Sequence, residues 1–155
     1  MSELAIGGNA PAFTLPRDGG GSVSLSDFPG KPVVIYFYPK DDTSGCTVEA
    51  VSFTALADAF AKAGTVVIGV SPDSVKRHDK FVSKHDLKVI LAADEGLDVL
   101  NAYGVWKEKS MYGRKYMGVE RTTFLLDANH RIAAIWPKVK VAGHAEAVLK
   151  AAQAL

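Results

Sequence analysis

Hydrophobic residues follow two patterns along the chain, short apolar runs and stripes with helical spacing. Val33–Tyr38 and Val66–Val70 are apolar at nearly every position and rich in β-branched or aromatic residues, which is typical of strands buried on both faces of a sheet. Val89–Ala92 predicts a third strand. Thr122–Leu126 and Ile132–Trp136 are separated by a short polar stretch, which predicts a hairpin.

Helical spacing between these runs predicts the intervening elements. One stripe predicts a single helix with the cysteine in its first turn: Cys46, Ala50, Phe53, Ala57 and Phe60. Ser71 offers a capping hydroxyl and Pro72 suits a first helical position, so a second helix is expected to begin there, with one face formed by Val75, His78 and Val82.

The ends of the chain complete the pattern. A short helix is expected over Glu95–Tyr103, stopping at Gly104, and a last helix has Ala145, Val148, Leu149 and Ala152 on one face. Near the start, a glycine turn at 19–21 predicts a hairpin of two short strands, around Phe13–Leu15 and Val23–Leu25. The fold class is therefore α/β, a mixed sheet with helices on both faces.

Composition and charge narrow the class of protein. The 155 residues, 48% hydrophobic, suit one domain spanning 1–155 that buries a core without disulfides. Eighteen Lys and Arg residues balance 17 Asp and Glu residues, which gives no electrostatic case for nucleic acid or an anionic membrane as partner. The N-terminus has no signal-peptide pattern, and the longest apolar run is six residues, Val33–Tyr38.

The single cysteine sets the chemistry that the chain can perform. One Cys forms no internal disulfide and supplies no Cys-rich zinc site, and the four His residues lack the spacing of a metal site, so no metal and no cofactor are expected. A protein of the reducing cytoplasm is the default expectation. Charged residues between Lys107 and Lys115 predict a solvated loop.

The segment around Cys46 points to a reactive thiol. A buried strand ends before Pro39, a polar turn follows, and Cys46 lies where the next helix begins. Free backbone N–H groups and the positive end of the helix dipole favour a thiolate there. The alternative, a buried cysteine that acts only as a small hydrophobe, does not explain the polar residues beside it. A Cys–His dyad of the protease type has no segment that supports it.

Pro39, Thr43 and Cys46 form a PxxxTxxC pattern, and the chain around it resembles the peroxiredoxins, in particular the peroxiredoxin Q or bacterioferritin comigratory protein subgroup. The resemblance extends to Asn9–Leu15, to Tyr103–Lys109 and to the segments Val23–Phe28, Arg121–Asp127 and Lys138–His144. It implies a thioredoxin-like fold with an extra N-terminal hairpin. It also implies reduction of hydrogen peroxide or an alkyl hydroperoxide by the Cys46 thiolate.

The resemblance assigns roles that the chemistry also supports. Attack on an O–O bond needs donors that hold both oxygens, and Thr43, the Cys46 N–H and Arg121 can supply them. Pro39 would cover the thiolate and limit water. Glu49 either orients Arg121 or the helix start, or is a solvated acid in the first helical turn. Tyr38 either lines the pocket or packs in the sheet.

The sequence departs from the subgroup at its resolving cysteine, because the two usual positions hold Val51 and Val82. A sulfenic acid on Cys46 must then be resolved by an outside thiol, from thioredoxin or from glutathione with glutaredoxin, or by Cys46 of another molecule. Ser44 replaces a usual proline, which leaves the loop less rigid. A monomer is expected, with a dimer possible, and the alternative function is a redox sensor or chaperone switched by Cys46 oxidation.

Overall fold

The structure, a computed structural model, describes residues 4–155. Its strands are β1 (Thr14–Pro16), β2 (Ser22–Ser24), β3 (Val33–Phe37), β4 (Val66–Ser71), β5 (Ile90–Ala93), β6 (Trp106–Met111), β7 (Arg114–Val119), β8 (Thr122–Leu126) and β9 (Ile132–Trp136). The helices are α1 (Ser44–Ala55), α2 (Ala57–Lys62), α3 (Val75–His85), α4 (Asp98–Ala102) and α5 (His144–Gln153). None of the helices in this part of the chain is long and apolar enough to cross a membrane.

The central sheet has five strands in the order β5-β4-β3-β8-β9. β3, β4 and β5 run parallel, whereas β8 pairs antiparallel with both β3 and β9. β1 and β2 form the expected N-terminal hairpin. The chain therefore has the mixed α/β, thioredoxin-like fold that the hydrophobic pattern and the resemblance predict.

The sheet separates two hydrophobic clusters, because neighbouring residues of a buried strand point to opposite faces. Every second residue of β3 enters the first cluster, together with the N-terminal hairpin and α4. The β3 residues between them enter the second cluster, together with Cys46, α1, α2 and α5. The second cluster contains a stack of aromatic rings in which Tyr36 lies 4.8 Å from Phe53 and 5.5 Å from Tyr38. Full burial of each such ring stabilises the fold by about 2 kcal/mol.

Gly69 makes room for this aromatic stack. It pairs with Tyr36 across β3 and β4, and a Cβ built on it would lie 2.6 Å from Tyr36 Cζ. Real side chains do not approach so closely, so any residue larger than glycine would displace the ring. The isolated glycine inside the predicted strand thus marks a close approach of a side chain to the backbone.

Predicted helix boundaries are wrong in three places, of which the first two lie between α1 and α2 and at the start of α3. The expected single helix from Cys46 to Phe60 is two helices, interrupted at Leu56, whose N–H bonds to the Phe53 carbonyl. The bend brings the Phe60 ring to 5.8 Å from that of Phe53. The next helix begins at Val75 and not at Ser71, because Ser71 remains in β4, paired with β5, and Ser74 provides the capping oxygen.

The segment expected to be a solvated loop between Lys107 and Lys115 forms the β6–β7 hairpin. Tyr112 and Gly113 make its two-residue turn with φ values of +52° and +77°. Most of this hairpin is exposed, including Tyr112 at 98%. The short helix also begins later than expected, at Asp98 and not at Glu95, because Leu97 has a left-handed conformation.

Candidate active site

Cys46 lies at the carboxyl edge of the sheet, where β3 ends and α1 begins. It is the third residue of α1. The first backbone N–H that bonds within the helix belongs to the next residue, Thr47, and donates to Thr43 O at 2.8 Å. The Cys46 N–H is therefore free to donate to a bound group near the sulfur. Only 1% of the Cys46 surface is exposed, so the sulfur lies beneath its surroundings.

Arg121 meets this sulfur from the sheet. The first residue of β8 pairs with the last residue of β3, so the residue before β8 lies at the same edge as Cys46. Arg121 Nη2 donates to Cys46 Sγ at 3.2 Å. Gly45 permits this approach, because a Cβ there would lie only 3.3 Å from Nη2. A fixed positive charge in contact with sulfur favours the thiolate.

Glu49 holds the other arm of the guanidinium. Its Oε1 accepts from Arg121 Nη1 at 2.6 Å, and its side chain is 1% exposed. Burial raises the pKa of Glu49 to about 7, although the Arg121 charge and hydrogen bond act in the opposite direction. Burial alone would lower the pKa of Arg121, but Glu49 and Cys46 together raise it above its ordinary value. Of the alternatives that the sequence left open for Glu49, the structure therefore has the contact with Arg121.

The other predicted site residues lie along the segment before α1. Thr43 precedes the first residue of α1, and its hydroxyl donates to the Lys40 carbonyl at 2.8 Å. Pro39 is half-buried between the end of β3 and this turn. Tyr38 is buried, and its hydroxyl donates to Asp41 Oδ1 at 2.5 Å. The hydroxyl of Tyr38 thus binds the loop, while its ring packs in the second cluster.

A buried network that the sequence did not predict lies beneath this segment. Asp41 Oδ2 lies 2.6 Å from His78 Nδ1, and the Asp41 N–H donates to Asp73 Oδ2 at 2.8 Å. His78 Nε2 donates to the Ala92 carbonyl at 3.0 Å, since a carbonyl can only accept. Asp73 also accepts from the Ser71 hydroxyl at 2.7 Å. The three elements β4, α3 and β5 are thereby joined to one loop residue, Asp41.

The signals for this network were present but separate. His78 falls on the predicted buried face of α3, and Asp41 belongs to the polar turn before Cys46, yet no local spacing links them. Asp41, Asp73 and His78 each have an oxygen or nitrogen atom that could bind a metal ion, and these three atoms lie within 4.8 Å of one another. Each of the three is already engaged in short hydrogen bonds with the others or with the backbone.

His144 is a second buried histidine near the site. It begins α5, and its Nε2 lies 2.8 Å from Thr123 Oγ1. Its ring lies between those of Phe53 and Trp136, at 6.0 and 5.9 Å. Burial, reinforced by the positive charge of Arg121, lowers the pKa of His144 to about 4. His144 is therefore neutral near pH 7.

Fold and site together define a thioredoxin-like protein with a candidate reactive cysteine at a helix start and one arginine in contact with its sulfur. The chain belongs to the AhpC/TSA family, whose profile matches residues 6–135. It is 50% identical over 147 residues to a putative peroxiredoxin bcp of Coxiella burnetii. The aligned region covers 95% of this chain and 97% of that protein.

Solved structures show the same likeness. The bacterioferritin comigratory protein of Xanthomonas campestris, described with alkyl peroxide reduction activity, is 46% identical with a TM-score of 0.87, over 92% of this chain and 90% of that one. A cysteine-to-serine mutant of Xylella fastidiosa PrxQ is 39% identical with a TM-score of 0.93, over 99% and 98% of the two chains. The predicted resemblance to the peroxiredoxin Q subgroup is confirmed.

Proposed function

We propose that this protein is a thiol-dependent peroxidase that reduces hydrogen peroxide and alkyl hydroperoxides through Cys46. The contact between Arg121 Nη2 and Cys46 Sγ carries the proposal, because it joins a nucleophile to a fixed charge that can stabilise a departing oxyanion. The family membership and the printed activity of the Xanthomonas relative support it. We infer that residues 1–155 act as one domain.

The reaction requires the thiolate, a peroxide and donors for both oxygens. The Cys46 sulfur attacks the terminal oxygen of ROOH, an S–O bond forms as the O–O bond breaks, and Cys46–SOH and RO⁻ result. RO⁻ then takes a proton from water. Arg121 and the Cys46 N–H are placed to hold these oxygens, while Thr43 must turn its hydroxyl away from Lys40 to join them.

Glu49 and Pro39 support this arrangement. Glu49 fixes one arm of the guanidinium so that the other arm faces sulfur, and we assign it a positioning role. Pro39, half-buried beside the same segment, would limit water around the sulfenic acid and protect it from further oxidation. Tyr38 acts through the loop, by its hydrogen bond to Asp41.

A one-cysteine cycle follows from the composition, because the chain contains no second thiol. An external thiol condenses with Cys46–SOH to give a mixed disulfide and water, and a second thiol releases Cys46–SH with the donor disulfide. Thioredoxin, or glutathione with glutaredoxin, is the proposed donor. Such donors belong to the reducing cytoplasm, where we place the protein, acting as a monomer.

Intact-mass spectrometry after one equivalent of peroxide tests the cycle. We expect a gain of one oxygen, and with glutathione present a mixed disulfide; Cys46→Ser should give neither product. Peroxide consumption is then compared for thioredoxin, for glutaredoxin with glutathione, and for dithiothreitol. Repeated turnover with one of these donors supports the peroxidase, whereas a single stoichiometric burst with every donor would favour a redox sensor.

A further inference from the structure

We propose that the buried pair of His78 and Asp41 is a positioning device for Cys46, which holds the segment Tyr38–Thr43 against α3 and whose opening admits the external thiol. The inference rests on the proposed function, because only a one-cysteine cycle requires an outside thiol to reach this sulfur. It concerns residues that touch neither the sulfur nor Arg121.

Access to the sulfur is the reason that such a device is needed. Cys46 is 1% exposed, so a thiol as large as glutathione cannot reach its sulfur in the described conformation. A mixed disulfide requires the approaching sulfur to come within bonding distance along the line of the S–O bond. The segment before Cys46 must therefore move, and the contacts that hold this segment determine how often it does so.

Asp41 joins the segment to the buried network. Its carboxylate accepts from the Tyr38 hydroxyl and meets His78 Nδ1 at 2.6 Å, and its backbone N–H binds Asp73. His78 is 0% exposed, and its other nitrogen is fixed on the Ala92 carbonyl of β5. A buried pair of this kind is costly to break, because each partner left alone is an uncompensated polar group in the core.

Two protonation patterns satisfy the two contacts of His78, and in both of them one proton lies between His78 Nδ1 and Asp41 Oδ2. Nε2 must carry a hydrogen for Ala92, so the hydrogen between Nδ1 and Oδ2 belongs either to an imidazolium or to a neutral Asp41. Burial alone would lower the pKa of His78, but the Asp41 hydrogen bond and charge, the Ala92 carbonyl and the Asp73 charge raise it. Arg77, which binds Asp73 at 3.2 Å, is the cation facing the network.

The next residue gives the loop a second contact with α3. Asp42 has a φ of +62°, in the left-handed region, which Asp tolerates better than most residues other than glycine. Its carboxylate lies at the surface, 2.7 Å from Lys84 Nζ and 2.9 Å from His85 Nε2. Helix α3 thus contacts the loop twice, once through a buried pair and once through an exposed pair.

These two contacts provide a test and its matched control. His78→Gln removes the ring nitrogen that meets Asp41 Oδ2, whereas His85→Gln disturbs the exposed contact of the same helix to the same loop. N-ethylmaleimide reacts with Cys46 in the reduced full chain only when the segment opens. We expect His78→Gln to increase the alkylation rate at least about tenfold and His85→Gln to change it less than about twofold.

The urea dependence separates local opening from a loss of global stability. Alkylation through local opening varies little with urea below the unfolding transition, because little surface is exposed. We also expect His78→Gln to slow oxidation of Cys46 by hydrogen peroxide, because the sulfur is then less often in contact with Arg121. Asp41→Asn, which keeps the shape and one acceptor, should change both rates in the same direction but by less.

The proposal is overturned if His78→Gln is alkylated no faster than His85→Gln, or if its gain has the urea dependence of global unfolding. Should His78→Gln fail to fold, Asp41→Asn is judged against His85→Gln by the same criterion. Alkylation of the reduced chain needs no turnover, so failure of the positioning device is distinct from failure of the peroxidase. The latter would appear as no peroxide consumption by the unaltered chain.

Discussion

Arg121 and Glu49 form a buried ion pair, with Nη1 2.6 Å from Oε1, and the same guanidinium contacts the sulfur of Cys46 through Nη2 at 3.2 Å. The two contacts use different arms of a planar group. Glu49 therefore fixes the plane and the direction of the donor that faces sulfur. One residue before β8 and two residues of α1 thereby form the charged centre of the site.

Replacing Arg121 should slow the first chemical step. Arg121→Ala removes the donor that faces both the thiolate and the departing oxygen, and we expect oxidation of Cys46 by peroxide to be slower by roughly 10²-fold or more. Quenched samples analysed by intact mass give this rate directly. Arg131→Ala, at an exposed position before β9, is the control and should leave the rate unchanged. An unaltered rate in Arg121→Ala would contradict the assigned role.

Glu49→Gln should remove a loss of stability that the unaltered chain undergoes as pH rises towards 7. The folded-state pKa of about 7 lies above the ordinary value of 4.5, so the stability that Glu49 contributes as a neutral group is lost as pH rises between these values. The loss amounts to about 3 kcal/mol, and glutamine avoids it. Urea unfolding at pH 5 and pH 8 should show the variant gaining on the unaltered chain at the higher pH.

The exposed Glu108 supplies the control for this prediction. Glu108→Gln should have the same difference from the unaltered chain at both values of pH. If Glu49→Gln behaves in the same way as Glu108→Gln, the carboxyl of Glu49 ionises normally in the folded protein and its burial has no energetic consequence.

His144 should make the fold sensitive to acid. Its folded-state pKa of about 4 lies below the ordinary 6.5, so the unfolded chain takes up a proton first and stability falls as pH drops from about 6.5 to 4. His144→Gln, which can still pair with Thr123, should lose up to about 3 kcal/mol less over this window. Thermal unfolding between pH 7 and 4 measures the difference.

Glu49 opposes His144 over much of that window, so the two variants must be compared with the unaltered chain separately. His85→Gln, on a partly exposed residue of α3, serves as the control for a lost imidazole. Parallel stability curves for His144→Gln and the unaltered chain would show that His144 takes up no proton on unfolding, and would contradict the lowered pKa.

Tyr36→Phe should stabilise the fold. The Tyr36 hydroxyl is buried and has no hydrogen-bond partner within residues 4–155, so its removal relieves a desolvated polar group, a gain of about 1 kcal/mol. Tyr103→Phe is the matched control, because the Tyr103 hydroxyl donates to the Pro11 carbonyl at 2.7 Å and its loss should destabilise by a similar amount. Equal urea midpoints for both variants would contradict this interpretation.

The sequence predicted the central strands and the chemistry of Cys46 because both depend on local patterns. A short continuous apolar run rich in β-branched residues is typical of a buried strand. The polar turn after such a strand indicates where the next helix begins, and Cys46 lies at that point. Arg121 came from the resemblance to the family, and the strand pairing that brings it to the sulfur joins residues far apart in the chain.

The failures also have physical causes. Tyr112 adopts a positive φ that its side chain does not favour, so the β6–β7 turn lacked the usual Asn-Gly or Asp-Gly signal. Serine is a preferred residue at the start of a helix, but Ser71 pairs with β5 and therefore remains in the sheet. The contact of His78 with Asp41 links residues 37 positions apart, and no periodicity within either segment reveals it.

Val51 stands five residues after Cys46 on the opposite side of α1, where it is 42% exposed while Cys46 is buried. Five residues of an intact α-helix advance its axis by about 7.5 Å, which is too far for a disulfide bond. A cysteine at position 51 could therefore reach the oxidised sulfur only after about one and a half turns of α1 had unwound. A donor from outside needs only the entrance to open, so the rest of this helix can stay wound through the catalytic cycle.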